Sequence, residues 1–230
     1  MSDYYGVIGF LLIAGGFSWL VDHSPFSKHT LSRAMDVHRR RWMEGMANRQ
    51  VRIMDSQIIA GLQNGIAFFA STALLGIGAA FTLITALDPV MSAVQDVPFL
   101  DASSRLQWEV MSLGLLVIYA YAFFKFGWAY RLVNYSAMLL GATPDTGRDA
   151  AASEDILAAA RRAGAMNVVA GRQFNRGLRT LFMSIGYLAW IGGPAAQILV
   201  TLAVAAILIY RQFARPALAA LKAGDTPARG

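Results

Sequence analysis

Residues 64–87 read NGIAFFASTALLGIGAAFTLITAL, a run of 24 residues without a charged side chain. At about 1.5 Å per residue, a helix of this length crosses the roughly 30 Å hydrocarbon core of a bilayer. Residues 4–21 form a second uncharged run, of 18 residues. Only 15% of the 230 residues are charged, whereas soluble domains usually carry about 25%. We therefore predict an all-α, polytopic membrane protein.

Basic residues are distributed unevenly around these runs. The segment between the first two runs carries Lys28, Arg33, Arg39, Arg40, Arg41, Arg49 and Arg52. Residues 89–107 carry a single basic residue, Arg105. Because cytoplasmic loops are enriched in lysine and arginine, this asymmetry predicts a cytoplasmic first loop and an N-terminus outside. The first run lacks a basic n-region before it, so we expect it to be retained as a span.

We predict five spans, at residues 4–21, 60–87, 108–135, 173–191 and 195–213. The last uncharged stretch, residues 180–210, is too long for one straight span, since its 31 residues would extend about 46 Å. Gly192-Gly193-Pro194 suits a helix end followed by a new first turn. The alternative has four spans, with the last helix kinked at Pro194. The bases of the tail favour five spans and a cytoplasmic C-terminus, because four spans would place Arg211, Arg215, Lys222 and Arg229 outside.

Two further helices are expected outside the bilayer core. Residues 31–52 resemble an amphipathic helix at the membrane surface, with Trp42 on the apolar face and Arg40 and Arg41 elsewhere. Ser153 followed by two carboxylates predicts a cytoplasmic helix over residues 153–170. Residues 1–216 then form one helical membrane domain, and residues 217–230 are expected to be a flexible tail.

Several polar residues lie at a similar depth on the cytoplasmic side of the apolar helices. They are Arg52, Asp55, Asn64, Lys125, Arg131, Asn134, Asn175 and Arg176. In one interpretation they line a polar pocket that binds phosphate or carboxylate. In the other, which we favour, the bases contact anionic lipid, the amides join helices and Asp55 forms a buried ion pair. Lys125 or Arg176 is the expected partner of Asp55, because Arg52 is free to reach the interface.

The composition also excludes several classes of chemistry. With no cysteine in the chain, disulfides, iron–sulfur clusters and thiolate zinc sites are ruled out. The three histidines are not spaced as metal ligands on one helix face, and no catalytic set can be assembled. We expect no metal, no cofactor and no enzymatic activity. The basic residues flank spans, so insertion topology explains them without nucleic acid. The expected partners are the bilayer with its anionic lipids, and either a second copy or another membrane protein.

Five motifs carry a resemblance to a known family. They are RRWM at 40–43, RIMDSQ at 52–57, FFAST at 68–72, FFKFGW at 123–128 and FNRGLR at 174–179. The order and spacing of these motifs resemble those of the family called domain of unknown function 599. The resemblance extends from the first predicted span to about residue 213. The resemblance implies a small multi-span membrane protein without an activity to carry over. That family often has His-Pro-Trp where this chain has Gly192-Gly193-Pro194, which leaves a geometric role for this turn.

The sequence therefore predicts a non-enzymatic accessory or structural component of the bacterial inner membrane. The alternative is a small-solute or ion transporter or channel with a polar pocket on the cytoplasmic side. A transporter needs a polar route across the bilayer, and the outer halves of the predicted spans are almost wholly apolar.

Overall fold

The computed structural model describes residues 5–95, 104–145 and 152–223, and this part of the chain is all-α. Two short 3₁₀ segments, Pro25–His29 and Ala189–Gly192, lie at chain turns. The helices are α1 (Tyr5–Asp22), α2 (Leu31–Ala47), α3 (Ile53–Thr85), α4 (Leu87–Gln95), α5 (Arg105–Gly141), α6 (Glu154–Leu188), α7 (Gly193–Gln212) and α8 (Arg215–Ala223).

Helices α5 and α6 form the long antiparallel axis of the molecule. Their 37 and 35 residues correspond to about 50–55 Å each, well beyond the core of a bilayer. Glycines let the two helices approach closely: a Cβ at Gly177 would lie 2.7 Å from the ring of Phe126, and one at Gly114 would overlap the hydroxyl of Tyr187. Helix α3 runs antiparallel to α5 along its other side.

Two apolar cores follow one another along this axis; we call the one at the C-terminal part of α5 the lower core and the one at its N-terminal part the upper core. The lower core joins α2, α3, α5 and α6 around Met43, Ile59 and Phe126. The upper core joins α1, α5, α6 and α7 around Phe10 and Trp108, and Ala80 of α3 and Leu87 of α4 also belong to it. Since α5 and α6 belong to both cores, the two halves are connected by continuous helices.

Four helical segments are long and apolar enough to cross a membrane: Tyr5–Asp22, Ile53–Thr85, Arg105–Gly141 and Glu154–Leu221. Their outward faces carry large apolar side chains, for example Leu12, which is 71% exposed, and Leu75, which is 75% exposed. A water-exposed surface of this kind would be unfavourable, whereas lipid covers it without cost. These segments indicate a multi-pass membrane protein.

The fourth candidate segment reverses direction within its length. Gly193 has φ of 89°, a backbone conformation that glycine adopts far more readily than other residues. Beyond it α7 packs back along α6, so that a Cβ at Gly186 would lie 2.8 Å from the Cα of Thr201. At the far end of α7, Gln212 donates to the hydroxyl of Ser32 at 2.7 Å. Thus α6 and α7 form an antiparallel hairpin.

Several element boundaries differ from the sequence-based prediction. The two helices predicted over residues 153–170 and 173–191 are one continuous helix, α6, because no proline or turn separates them, and it ends at Leu188 before the 3₁₀ segment Ala189–Gly192. Helix α4 was not predicted. In the tail, α8 extends to Ala223, beyond the expected end of the ordered domain, and residues 224–230 lie outside the described part.

The helix predicted at the membrane surface over residues 31–52 is shorter than expected, and part of its apolar face packs on protein. Helix α2 ends at Ala47 and runs along α6, and Met43 and Met46 are fully buried by protein. Ala160, Ala163 and Gly164 of α6 present a small-residue surface against which the methionines pack. The sequence pattern of an apolar helix face is the same whether lipid or protein covers that face. The sequence could therefore not distinguish burial in lipid from burial against another helix.

Candidate functional site

The eight polar residues expected to form one pocket are distributed over several separate contacts. Gln63 donates to the side-chain oxygen of Asn134, and Asn64 is exposed. Lys125 lies over the ring of Tyr121, with Nζ 5.0 Å from the ring centroid. The remaining members of the set pair with residues outside the set. The predicted common pocket is therefore not formed.

Arg131 is held by aromatic rings on its own helix. Its guanidinium lies 5.6 Å from the ring centroid of Trp128 and 5.4 Å from that of Tyr135, and its Nε donates to the Tyr135 hydroxyl at 2.6 Å. These cation–π contacts hold Arg131 against the exposed side of α5.

Asp55 is fully buried at the first turn of α3, where the helix dipole favours a carboxylate. Its Oδ1 accepts a hydrogen bond from the indole nitrogen of Trp42 at 2.7 Å and pairs with the guanidinium of Arg49. The predicted partners Lys125 and Arg176 are engaged elsewhere, so that pairing is wrong. The true partners precede α3 closely in sequence, because the chain folds back between α2 and α3.

Arg52 joins the start of α3 to the end of α5. It donates to the carbonyl oxygens of Thr143 and Pro144, at 2.5 and 2.8 Å, and lies 3.4 Å from a carboxylate oxygen of Asp145. A cation at a helix C-terminus satisfies carbonyls that have no partner within the helix. In this structure Arg52 therefore holds the turn that follows α5.

Asp22, at the end of α1, is the centre of a cluster that the sequence analysis missed. Its carboxylate accepts from Nε of Arg176 at 3.0 Å and from Nη2 of Arg179 at 2.8 and 2.9 Å. Two guanidinium groups thus share one carboxylate, leaving a positive charge in excess. A usable signal was present in the sequence, since Asp22 is the first acidic residue after an uncharged span and is followed by a strongly basic loop.

Next to this cluster, Ser32 at the start of α2 is bonded to both α6 and α7. Its hydroxyl accepts from the side-chain amide of Asn175 on α6 at 3.2 Å and from Gln212 at the end of α7. Asn175, a predicted pocket residue, therefore connects α2 to the α6–α7 hairpin.

A row of polar contacts holds α2 against the first half of α6; we call this row the α2–α6 seam. Asp36 pairs with Arg172 at 2.8 Å, and Glu44 pairs with Arg161 at 3.1 Å. Between these pairs, Arg39 donates to the backbone and side-chain oxygens of Asn167 at 3.1 and 3.0 Å. Burial lowers the pKa of the Arg39 guanidinium, and the nearby Asp36 carboxylate opposes that shift. The seam aligns α2 with the bundle.

Trp42, Arg40 and Arg41, which were assigned to the predicted amphipathic helix at the membrane surface, have different environments within α2. Trp42 reaches inward to Asp55, as described above, and Arg40 is exposed on the opposite side. Arg41 is also solvent-exposed along its side chain. Arg40 and Arg41 therefore lie on the outside of the molecule.

A groove of about 650 Å³ lies between α1 and α5, with α6 as its floor. Leu11 and Gly15 line the α1 wall, Val117 and Tyr121 line the α5 wall, and Met183 lies on the floor. Its polar end is formed by Asp22, Arg176 and Arg179. Sites of about 300–1,000 Å³ lined mainly by apolar side chains are typical of small-ligand binding.

The family described as protein of unknown function, DUF599, matches residues 5–217. The chain belongs to this family. No curated protein and no solved structure matches it. The family resemblance read from the sequence motifs is thus confirmed, and the match covers every helix from α1 to α7 of this DUF599 protein together with the start of α8.

Proposed function

We propose that this DUF599 protein is a non-enzymatic accessory component of the bacterial cytoplasmic membrane that acts through its cytoplasmic helices. The observation that carries the proposal is the attachment of α2 along α6 by the α2–α6 seam, because the 35 residues of α6 are more than one span requires. This arrangement supports a rigid helical unit projecting from the bilayer. The polar residues within it bind one another, as structural groups do.

The proposal includes five spans, with the N-terminus outside and the C-terminus in the cytoplasm. The α6–α7 hairpin supports this count, because the 20 residues of α7 are enough for one span and its far end returns to Ser32 beside α6. The basic loop between α1 and α3 lies at that same end, where the positive-inside rule favours the cytoplasm. A periplasm-specific reporter should be silent when fused after Phe213 and active when inserted at Ser92. Activity at both positions would contradict the proposed topology.

The exposed side of α2 is the surface on which we expect a protein partner to bind. Val37 is 49% exposed there, whereas Met43 on the same helix is fully buried. A photo-crosslinking residue at position 37, in the full-length protein in native membranes, should give one reproducible crosslinked partner, recovered reciprocally when that partner is tagged. Position 43 is the matched control and should give none. Crosslinks from position 37 to lipid alone would argue against the accessory role.

The transporter alternative receives less support from the geometry. At the apolar end of the groove, the lining residue Phe10 packs edge-on against Tyr187 with ring centroids 5.0 Å apart, and Trp108 packs against Trp190 with ring centroids 4.4 Å apart. All four rings are buried. A polar solute that continued from the groove along the bundle would meet this packed aromatic cluster.

A further inference from the structure

We propose that the groove between α1, α5 and α6 binds one anionic glycerophospholipid, with an acyl chain along its apolar walls and the phosphate at Arg176 and Arg179. This inference goes beyond the accessory role proposed above. It depends on the packing of three helices and on no protein partner. Lipid binding can therefore be absent while the crosslinks from position 37 are observed, and the crosslinks can be absent while lipid binds.

The groove opens sideways, toward the region that lipid occupies. Helix α1 packs on α7 and touches α6 but remains apart from α5, and this separation creates the opening. Leu11 is 62% exposed and Val117 is 60% exposed at its two rims. An acyl chain can therefore enter laterally from the bilayer, whereas a soluble ligand would have to cross apolar walls to reach the same space.

The length of the groove fits one leaflet. From Leu11 to Asp22 the α1 wall extends about 17 Å, close to half of the roughly 30 Å hydrocarbon core. Trp19 on α1 is 61% exposed, and Lys125 lies over Tyr121 on α5. Exposed tryptophan, tyrosine and lysine are typical of the interfacial level, so both walls mark the polar end as the headgroup level.

The charges at the polar end select an anion. Arg176 and Arg179 share the single carboxylate of Asp22, which fixes both guanidinium groups and leaves one positive charge unmatched. A small adjoining pocket adds Arg33 and Arg172 against Asp36. Arg176 uses only Nε toward Asp22, so its Nη groups have no hydrogen-bond partner within the described residues. Paired N–H groups of arginine match the geometry of a phosphate.

Gly15 provides a direct way to fill the groove. It lines the α1 wall, and nothing lies within 4 Å of a Cβ built on it. Its neighbour Gly16 has the same free space but does not line the groove. Gly15→Leu should therefore block the acyl chain without a clash, and Gly16→Leu is a matched control with the same change in helix propensity.

The test measures binding of the first lipid to the purified full-length protein by native mass spectrometry in a mild detergent. The probes are dioleoyl phosphatidylglycerol, dioleoyl phosphatidylcholine and inorganic phosphate. A base near a membrane surface contributes about fivefold to binding of an anionic lipid. We expect phosphatidylglycerol to bind the wild type at least about fivefold more tightly than phosphatidylcholine, and Arg176→Gln to remove about fivefold of that preference.

Gly15→Leu should weaken phosphatidylglycerol binding by about tenfold or more, because the leucine side chain would keep several methylene groups of the acyl chain out of the groove. Gly16→Leu should bind like the wild type. Ser18→Leu, one turn further along the same wall, serves as a second filling variant if Gly15→Leu does not fold. Equal affinity for both lipids, or equal behaviour of the two glycine variants, would overturn the proposal. So would inorganic phosphate that stabilises wild type and Gly15→Leu alike and displaces the lipid, since the site would then be one for free anions.

Discussion

Replacing Asp55 by alanine tests the best-defined buried charge in the molecule. The substitution removes the acceptor of the Trp42 indole N–H and the partner of Arg49 at once. Trp42 packs against the lower core, and its nitrogen would lose its bonded partner. Arg49 has 38% of its side chain exposed, so it can turn toward water.

The two lost contacts differ in expected magnitude. A hydrogen bond from a neutral donor to a buried carboxylate contributes about 1.5–3 kcal/mol. The ion pair with Arg49 contributes about 1 kcal/mol or less, because solvent screens its exposed partner. Together, Asp55→Ala should lower the free energy of unfolding by about 2–4 kcal/mol. For a chain of this size, that corresponds to a melting temperature lower by roughly 4–16 °C.

The assay is a set of double-mutant cycles, read as melting temperatures in one detergent. Combined with Asp55→Ala, Trp42→Phe should cost about 1.5–3 kcal/mol less than it does alone, because its hydrogen bond is already gone. Lys125→Met is the control and should add to Asp55→Ala within about 0.5 kcal/mol, since Lys125 contacts Tyr121 instead. Additive shifts for Asp55 and Trp42, or strong coupling to Lys125, would refute this assignment.

Three further outcomes test the packing of the helices. Because the chain has no cysteine, Met43→Cys combined with Gly164→Cys should form an intramolecular disulfide on mild oxidation: a Cβ at position 164 would lie 3.3 Å from that of position 43, close to disulfide spacing. Absence of the crosslink, measured by mass spectrometry, would favour a helix on the membrane surface. Gly193→Ala should destabilise the protein by about 1–3 kcal/mol in a thermal melt, since φ of 89° is strained for alanine; an unchanged melting temperature would contradict the turn. Gly114→Ala should be destabilising, because its Cβ would overlap a tyrosine hydroxyl on α6, whereas Gly127→Ala, with nothing within 4 Å, should be neutral or stabilising by up to about 1 kcal/mol. Equal melting temperatures for these two variants would show that α5 and α6 are not packed closely there.

Features that depend only on a short, continuous stretch of sequence could be predicted well. The thickness of a bilayer sets the length of an apolar run, so residues 64–87 were sufficient to predict a membrane helix, and α3 contains nearly all of them. Gly192-Gly193-Pro194 marked the turn before α7 for a similarly local reason, because glycine and proline restrict the backbone where they stand.

The partner of a buried charged residue could not be predicted in this way. A buried carboxylate requires a partner, and that need was visible at Asp55 from its apolar neighbours in the sequence. Which base supplies it depends on how the chain folds between α2 and α3, and there Arg49 is brought to Asp55 while Arg176 is brought to Asp22. Spacing along a sequence cannot specify a contact between separate helices.

The sequence by itself determined the class of the protein, the apolar runs and the uneven distribution of its basic residues, because each is a property of local composition. Only the tertiary structure decided what covers the apolar face of α2 and where a groove remains. Met43 is buried by α6, and Gly15 faces open space, although both are small or apolar residues on helices of similar length. The difference arises from helix–helix distances: α2 lies directly against α6, while α1 remains apart from α5 and leaves the space that lipid can occupy.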